Sequence, residues 1–191
     1  MAAQKQRQIE SVYQIKVTLK DIRPPIWRRV QVPSNISLNK LHRILQAVMP
    51  WDDYHLHQFI ISKLYYGEPD PDDDFGFELK SDRTAKLNQV ASGARARFIY
   101  EYDFGDGWEH EIVVEKIVPP EADIKYPICL AGKRACPPED CGGIPGYARF
   151  LEAIQNPKHE EHESLLRWVG GSFDPEAFDL DDINYRLKRI K

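Results

Sequence analysis

Three cysteines lie close together, Cys129-x6-Cys136-x4-Cys141, in a segment rich in proline and glycine. Thiolates so grouped suit zinc or a similar soft ion. The spacing is not the paired C-x2-C of zinc fingers and ribbons, so a fourth ligand must come from elsewhere. His110, Asp140 or a C-terminal histidine are the candidates. The competing reading is that the thiols are small apolar groups filling a tight loop.

A second concentration of reactive groups is "FIYEYDFGDGWEHEI", residues 98–112, where five carboxylates and one histidine surround Gly-Asp-Gly. Its strict alternation predicts a hairpin. A three-residue loop, Gly105-Asp106-Gly107, pairs Phe104 with Trp108, Tyr102 with His110, Tyr100 with Ile112 and Phe98 with Val114. The aromatics then share one face with His110, which reads as a core histidine rather than a general base. Glu101, Asp103, Glu109, Glu111 and Glu115 share the other face. Glu101 opposes Glu111 and Asp103 opposes Glu109, which needs solvation or cations nearby. Arg23, Arg28, Arg29, Arg95 and Arg97 are available.

Other groupings are weaker. Asp70, Asp72 and Asp74 fit the start of a calcium loop, but Phe75 and Ser81 stand where glycine and glutamate belong. His159 and His162 are three apart rather than the four of a zinc protease helix. His55 and His57, two apart, would share one face of a strand and so could hold a metal. There is no phosphate-binding glycine loop, dinucleotide fingerprint or nucleophile elbow. Trp27, Arg28 and Arg29 could stack on and pair with a nucleic acid or an acidic peptide. Only one of these arginines shares Trp27's side of a strand. "RLKRIK" ends the chain as a small basic tail.

The elements that must position these residues follow from periodicity. Residues 1–10 read as a disordered tail. Strands are predicted over 12–22, with Tyr13, Ile15, Val17 and Leu19 apolar, and over 26–32 and 57–67. Leu38, Leu41, Ile44, Leu45 and Val48 recur at helical spacing behind Ser37, an N-cap, and ahead of Pro50. "LNQVA" adds a helical turn, and the long hairpin spans 95–118. After Pro119-Pro120 come the cysteine loop and three short helices. Residues 11–191 therefore read as one α+β domain, strand-rich over 11–118, with the cysteine loop and helices over 119–191. The sheet is expected to be mixed and mainly antiparallel around one main helix, with short C-terminal helices. A chain of 191 residues, 42% hydrophobic, supports such a core. A net charge of −4 speaks against general nucleic-acid coating. Neither a signal peptide nor a membrane span is legible, so a cytoplasmic location with reduced thiols and no membrane partner is expected.

Five stretches, "IRPPIWRRVQVP", "LHRILQAVMPWDDYHLHQF", "YEYDFGDGWEHEI", "CLAGKRACPPEDCGGIPGY" and "WVGGSFDPEAFD", stand in this order. Together they resemble the plasmid pRiA4b ORF-3-like family over roughly Tyr13 to Asp179. The resemblance implies a compact α+β domain carried by plasmids or insertion elements, sometimes under the label TnpR. It implies no established activity or catalytic residue. The resolvase chemistry of that label is not matched, since no serine here lies among phosphate-binding arginines. The leading expectation is a binding or interaction module with a groove beside the hairpin and the "CPPEDCGG" loop. Trp27, Arg28, His57, Asp103, Asp106, Trp108, Glu139, Asp140 and Tyr147 are its candidate residues. The alternatives are a metal-dependent, hydrolytic enzyme using the cysteine loop or the acidic residues, with zinc at Cys129, Cys136, Cys141 and His110 as the candidate metal set, and an accessory protein contacting nucleic acid. Its partner is expected to be a protein or small ligand.

Overall fold

The computed structural model describes residues 9–68 and 78–190. Eight strands form one sheet in the order β5-β4-β3-β6-β7-β1-β2-β8. In chain order these are β1 (Val12–Leu19), β2 (Trp27–Pro33), β3 (His57–Ile61), β4 (Leu64–Gly67), β5 (Leu79–Ser81), β6 (Arg97–Tyr102), β7 (Trp108–Val118) and β8 (Ile128–Lys133). Neighbours are antiparallel except β4 and β5, which are parallel. The expected mixed, mainly antiparallel α+β architecture is present.

Alternation decides the faces. Tyr13, Ile15, Val17 and Leu19 of β1, Phe98, Tyr100 and Tyr102 of β6, and Trp108, Ile112 and Val114 of β7 are all buried in one core. Helix α1 (Leu38–Val48) supplies Leu38, Leu41, Ile44, Leu45 and Val48 to that core. Each such side chain stabilises the fold by about 2 kcal/mol through burial. Ser37 caps the helix by accepting from the Lys40 amide, as its residue type and position predict. Helices α2 (Leu87–Val90), α3 (Gly143–Gln155), α4 (His162–Trp168) and α5 (Leu180–Leu187) complete the chain. Asn184 of α5 donates to the Cys129 carbonyl and accepts from the Cys129 amide, which ties that helix to β8.

Three expectations are corrected. The strand predicted over 57–67 is a hairpin, because Ser62 and Lys63 adopt φ of 51° and 66° and reverse the chain. The cysteine segment is not only loop: β8 closes the sheet edge against β2. The main hairpin pairs Tyr102 with Trp108, Tyr100 with His110 and Phe98 with Ile112, two residues from the predicted register. Its loop is therefore Asp103–Gly107. A shift of two keeps every face, so burial alone could not detect it. Turn chemistry decides instead. Asp103 takes φ 56°, and its Oδ1 accepts from the amides of Gly105 and Asp106. Phe104 is released to solvent.

The register also rearranges the acids. Glu101 faces Glu109, and Glu111 faces Ile99. Compensation comes from Lys20 on Glu109, Arg97 on Glu111 at 2.9 Å, and Arg29 on Glu115 at 2.7 Å. Gln58 donates to Glu101. This face is a paired, solvated surface, and Arg28 takes no part in it. Its guanidinium is buried on the other face.

Candidate functional site

Three loops meet at one end of the sheet. They are residues 49–56 between α1 and β3, the 103–107 turn, and residues 134–142 between β8 and α3. Each is bolted to another. Trp51 Nε1 donates to the Pro137 carbonyl at 2.9 Å. Glu139 accepts from the Asp52 amide at 2.9 Å and from the Tyr102 hydroxyl. Asp106 Oδ2 accepts from the Gly142 amide at 3.1 Å. The turn thus touches the "PPEDCGG" segment directly. Gly143 sits at φ 66° where a Cβ would lie 2.5 Å from the Asp106 carbonyl oxygen, so only glycine fits there.

Inside this junction, His55 Nε2 lies 2.9 Å from Asp140 Oδ1 and 3.6 Å from Asp103 Oδ2. The close approach to Asp140 lacks hydrogen-bond alignment, so Nε2 is buried without a hydrogen-bond partner. Asp103 is itself buried, whereas Asp140 is exposed. His55 and His57 do not share a face: His55 precedes β3 and points to the junction.

His57 belongs to a second, closed network. Its ring stacks on His42 with centroids 3.5 Å apart and planes 4° from parallel. His57 Nε2 lies 3.0 Å from Asp82, and His42 Nε2 lies 2.7 Å from Asp53. His42 Nδ1 and Gln46 Nε2 converge on the Tyr100 hydroxyl at 2.8 and 2.9 Å. Burial would push the Asp82 carboxyl up, but hydrogen bonds from His57 and Asn39 hold it below its usual range. Burial lowers His42 and raises Tyr100. Sequence reasoning missed this network. A signal existed for half of it: His42 lies one turn after Leu38 and Gln46 one turn after His42, on the buried side of α1.

The predicted metal set is not assembled. Among the described residues, one group of three or more His, Cys, Asp or Glu brings its ligand atoms within 4.8 Å, and it is His55, Asp103 and Asp140. Cys129 Sγ bonds the Ala131 carbonyl on β8, while Cys136 Sγ sits 3.2 Å from Met49 Sδ and 3.3 Å from an Arg28 nitrogen. Burial raises all three thiols, Cys141 to about 12, so they are protonated. His110 is fully buried, its Nδ1 donating to the Tyr100 carbonyl at 3.2 Å, and burial depresses it to about 4. The four groups sit in separate surroundings because β8, the 134–142 loop and β7 carry them apart.

The candidate binding residues also divide. Asp103, Asp106, Glu139 and Asp140 come together at the junction. Trp108 and Tyr147 are buried, in the core. Trp27 lies on the polar sheet face with Lys16 and Arg29 over its ring, 5.1 and 5.3 Å from the centroid. Arg28 commits all its N–H groups to the carbonyls of Trp27, Val48, Lys133 and Arg134 and to Cys136. Asp70, Asp72 and Asp74, with residues 1–8 of the tail and Lys191, lie outside the described residues. His159 and His162 stand at the start of α4, where His162 donates to the Ala153 carbonyl at 2.9 Å.

Beside the junction is a cleft of about 490 Å³. The 135–139 loop, Trp51, and Trp168, Phe173 and Phe178 from the C-terminal segment line it. Arg28 lies at its floor, 5.0 Å from the Phe178 ring. A second cavity of about 490 Å³ is lined by Asp140, Cys141, Arg149, Phe150 and Trp168, among others.

These features define an α+β protein with a loop-built polar site and an adjoining aromatic cleft at one end of a mixed, mainly antiparallel sheet. The chain belongs to the plasmid pRiA4b ORF-3-like protein family, which it matches over residues 11–182. It is 40% identical over 177 residues to the uncharacterized protein y4hQ of Sinorhizobium fredii, covering 92% of this chain and 90% of that one. A crystal structure of MM3350, a protein of unknown function from Methanosarcina mazei Go1, is 42% identical. It superposes with a TM-score of 0.83 over 92% of this chain and 98% of its own.

Proposed function

We propose that the protein is a binding module that takes a ligand with an apolar body and a cationic end into the cleft beside the 135–139 loop. One observation carries this reading. The cleft has aromatic walls and four carboxylates in its lining, Asp52, Glu139, Asp179 and Asp182, against a single cation. That cation, Arg28, has its donors already taken by carbonyls and a thiol. A pocket of mostly apolar lining with a few convergent polar groups is the usual form of a small-ligand site. Asp182 is paired with Arg186 and Asp179 caps α5, so Asp52 and Glu139 are the carboxylates left to select for positive charge, and Trp168, which is half-exposed, offers a face for a cation or a ring.

The family's plasmid description supports reading the protein as a passenger of mobile elements. Free thiols at Cys129, Cys136 and Cys141 support a cytoplasmic location. No helix among the described residues is long and apolar enough to cross a membrane. The dispersal of the cysteines weighs against a thiolate-zinc hydrolase. Against a nucleic-acid surface stand the pairing of Arg186 with Asp182 and the placing of Arg189 over Tyr185.

The test is an NMR chemical-shift titration with arylalkyl amines and with carboxylates of the same apolar body. Shifts in Trp51, Trp168 and Phe178 with the amines alone are expected, weakened at least tenfold in affinity by Trp168→Ala. Equal response to both charges, or none at millimolar amine, would end the proposal.

A further inference from the structure

The junction holds three ligand atoms that its own hydrogen bonds do not use. His55 Nε2 is buried and has no aligned hydrogen-bond partner, although a carboxylate oxygen approaches to 2.9 Å. The Asp103 side chain is nine-tenths buried, at 9% exposure. Its Oδ1 is occupied by two turn amides, while Oδ2 faces His55 at 3.6 Å. A carboxylate so deeply placed is ordinarily paired or bound to a metal. Among the described residues neither Asp103 nor Asp140 has a lysine or arginine within 4.0 Å. Two negative charges therefore converge on one imidazole with no permanent cation between them.

The spacing fits an ion. A tetrahedral centre with bonds of about 2.1 Å holds its ligands about 3.4 Å apart. The separations of 2.9 and 3.6 Å bracket that value, and all three atoms lie within 4.8 Å of one another. The Tyr102 ring meets His55 edge to face at 5.9 Å, which orients the imidazole.

We propose that His55 Nε2, Asp103 Oδ2 and Asp140 bind a divalent transition-metal ion of the zinc or manganese class. One imidazole with two carboxylates suits those ions, whereas calcium prefers an all-oxygen shell and copper(I) prefers thiolates. Three protein ligands leave a position open, as in catalytic rather than structural sites. Of the three, Asp140 also lines the second cavity, together with Arg149. This site is distinct from the cysteine set and from the aromatic cleft.

The experiment is calorimetric titration of chelator-stripped full-length protein with Zn²⁺ and with Mn²⁺, followed by Co²⁺ absorption. About one ion per chain is expected, with affinity falling at least tenfold in His55→Ala and in Asp140→Asn. Both variants alter partly or largely exposed positions, and circular dichroism checks their folding. His159→Ala with His162→Ala should leave binding unchanged. The Co²⁺ spectrum should lack a thiolate charge-transfer band. No uptake by the wild type, undiminished uptake in both site variants, or a thiolate band would each overturn the assignment.

Discussion

Two regions of the molecule set imidazoles against aspartates, and they differ in alignment rather than in composition. In the His42–His57 network the ring nitrogens have partners: Asp53 at 2.7 Å, Asp82 at 3.0 Å and the Tyr100 hydroxyl at 2.8 Å. At the loop junction His55 is just as close to a carboxylate, yet its nitrogen is not satisfied. The first region sits between helix α1 and strands whose positions are fixed by packing. The second is made by three loops that tie to each other through Glu139, Asp106 and Trp51 and leave the metal-type atoms over. Asp82 Oδ1 is also buried without a partner, so the difference lies in the imidazoles: those of the first region are hydrogen-bonded, and His55 Nε2 is not.

The sharpest way to break this contrast is in the closed network. Asp82→Ala removes the partner of His57 and of Asn39 at a fully buried position. It should cost about 3 kcal/mol in urea unfolding, the order found when one member of a buried pair is deleted. A loss below about 1 kcal/mol would show that the stacked histidines are not structural.

Acid provides the next test. Burial between Trp51 and Tyr100 depresses His110 from the ordinary 6.5 of the unfolded chain to about 4 in the fold. Between those values the unfolded chain binds more protons, so stability falls as pH drops below 6.5 and this loss levels off near 4. The shift corresponds to about 3 kcal/mol. Burial of His42 acts in the same direction. Asp53 and Asp82, held below 3.8, lose their contribution only at lower pH still. His110→Phe should flatten the slope of the urea midpoint between pH 6.5 and 4. An unchanged slope would place the titrating group elsewhere.

This contrast also shows what the sequence could reveal. The faces of β1, β6 and β7 were legible because alternation survives any even register shift. The register was not, because Phe104 looked like core, and the five-residue turn is closed by the Asp103 side chain together with the Gly107 amide donating to the Asp103 carbonyl. The meeting of the Asp106 turn with the "PPEDCGG" loop was legible as a question, since both are glycine turns rich in acid. That His55 rather than a cysteine completes the cluster was not. His55 precedes the strand by two residues, and its direction depends on Asp103 and Asp140, 48 and 85 positions further on. Asp82 was hidden by its surroundings, as a charged stretch gives no hint that one of its acids is fully buried.

A smaller effect is expected where the loops are bolted. Asp106→Ala removes the acceptor of the Gly142 amide, an exposed bond worth about 1 kcal/mol. Thermal unfolding should register that loss. Amide exchange should rise at Gly142 while the core strands stay protected, which would separate loosening of the junction from loosening of the sheet. Equal acceleration in β1 and β7 would mean that the junction is part of the folding core.

The smallest effect is the most telling. Asp140 is 67% exposed and contributes no hydrogen bond with proper alignment, so Asp140→Asn should change stability by less than about 0.5 kcal/mol. It also removes one negative charge from a cluster that contains Asp103 and Asp106. At low salt the variant should therefore be unfolded no more easily than the wild type, and salt should narrow the difference. In the His42–His57 network a like substitution costs more, because Asp82→Asn or Asp53→Asn weakens the acceptor bonded to a buried imidazole. A loss above about 1 kcal/mol in urea would make the His55–Asp140 contact a structural ion pair, and the two regions would then be alike. Neutral stability would show that the His55–Asp140 contact does not hold the fold, which leaves the carboxylate free to serve as a ligand.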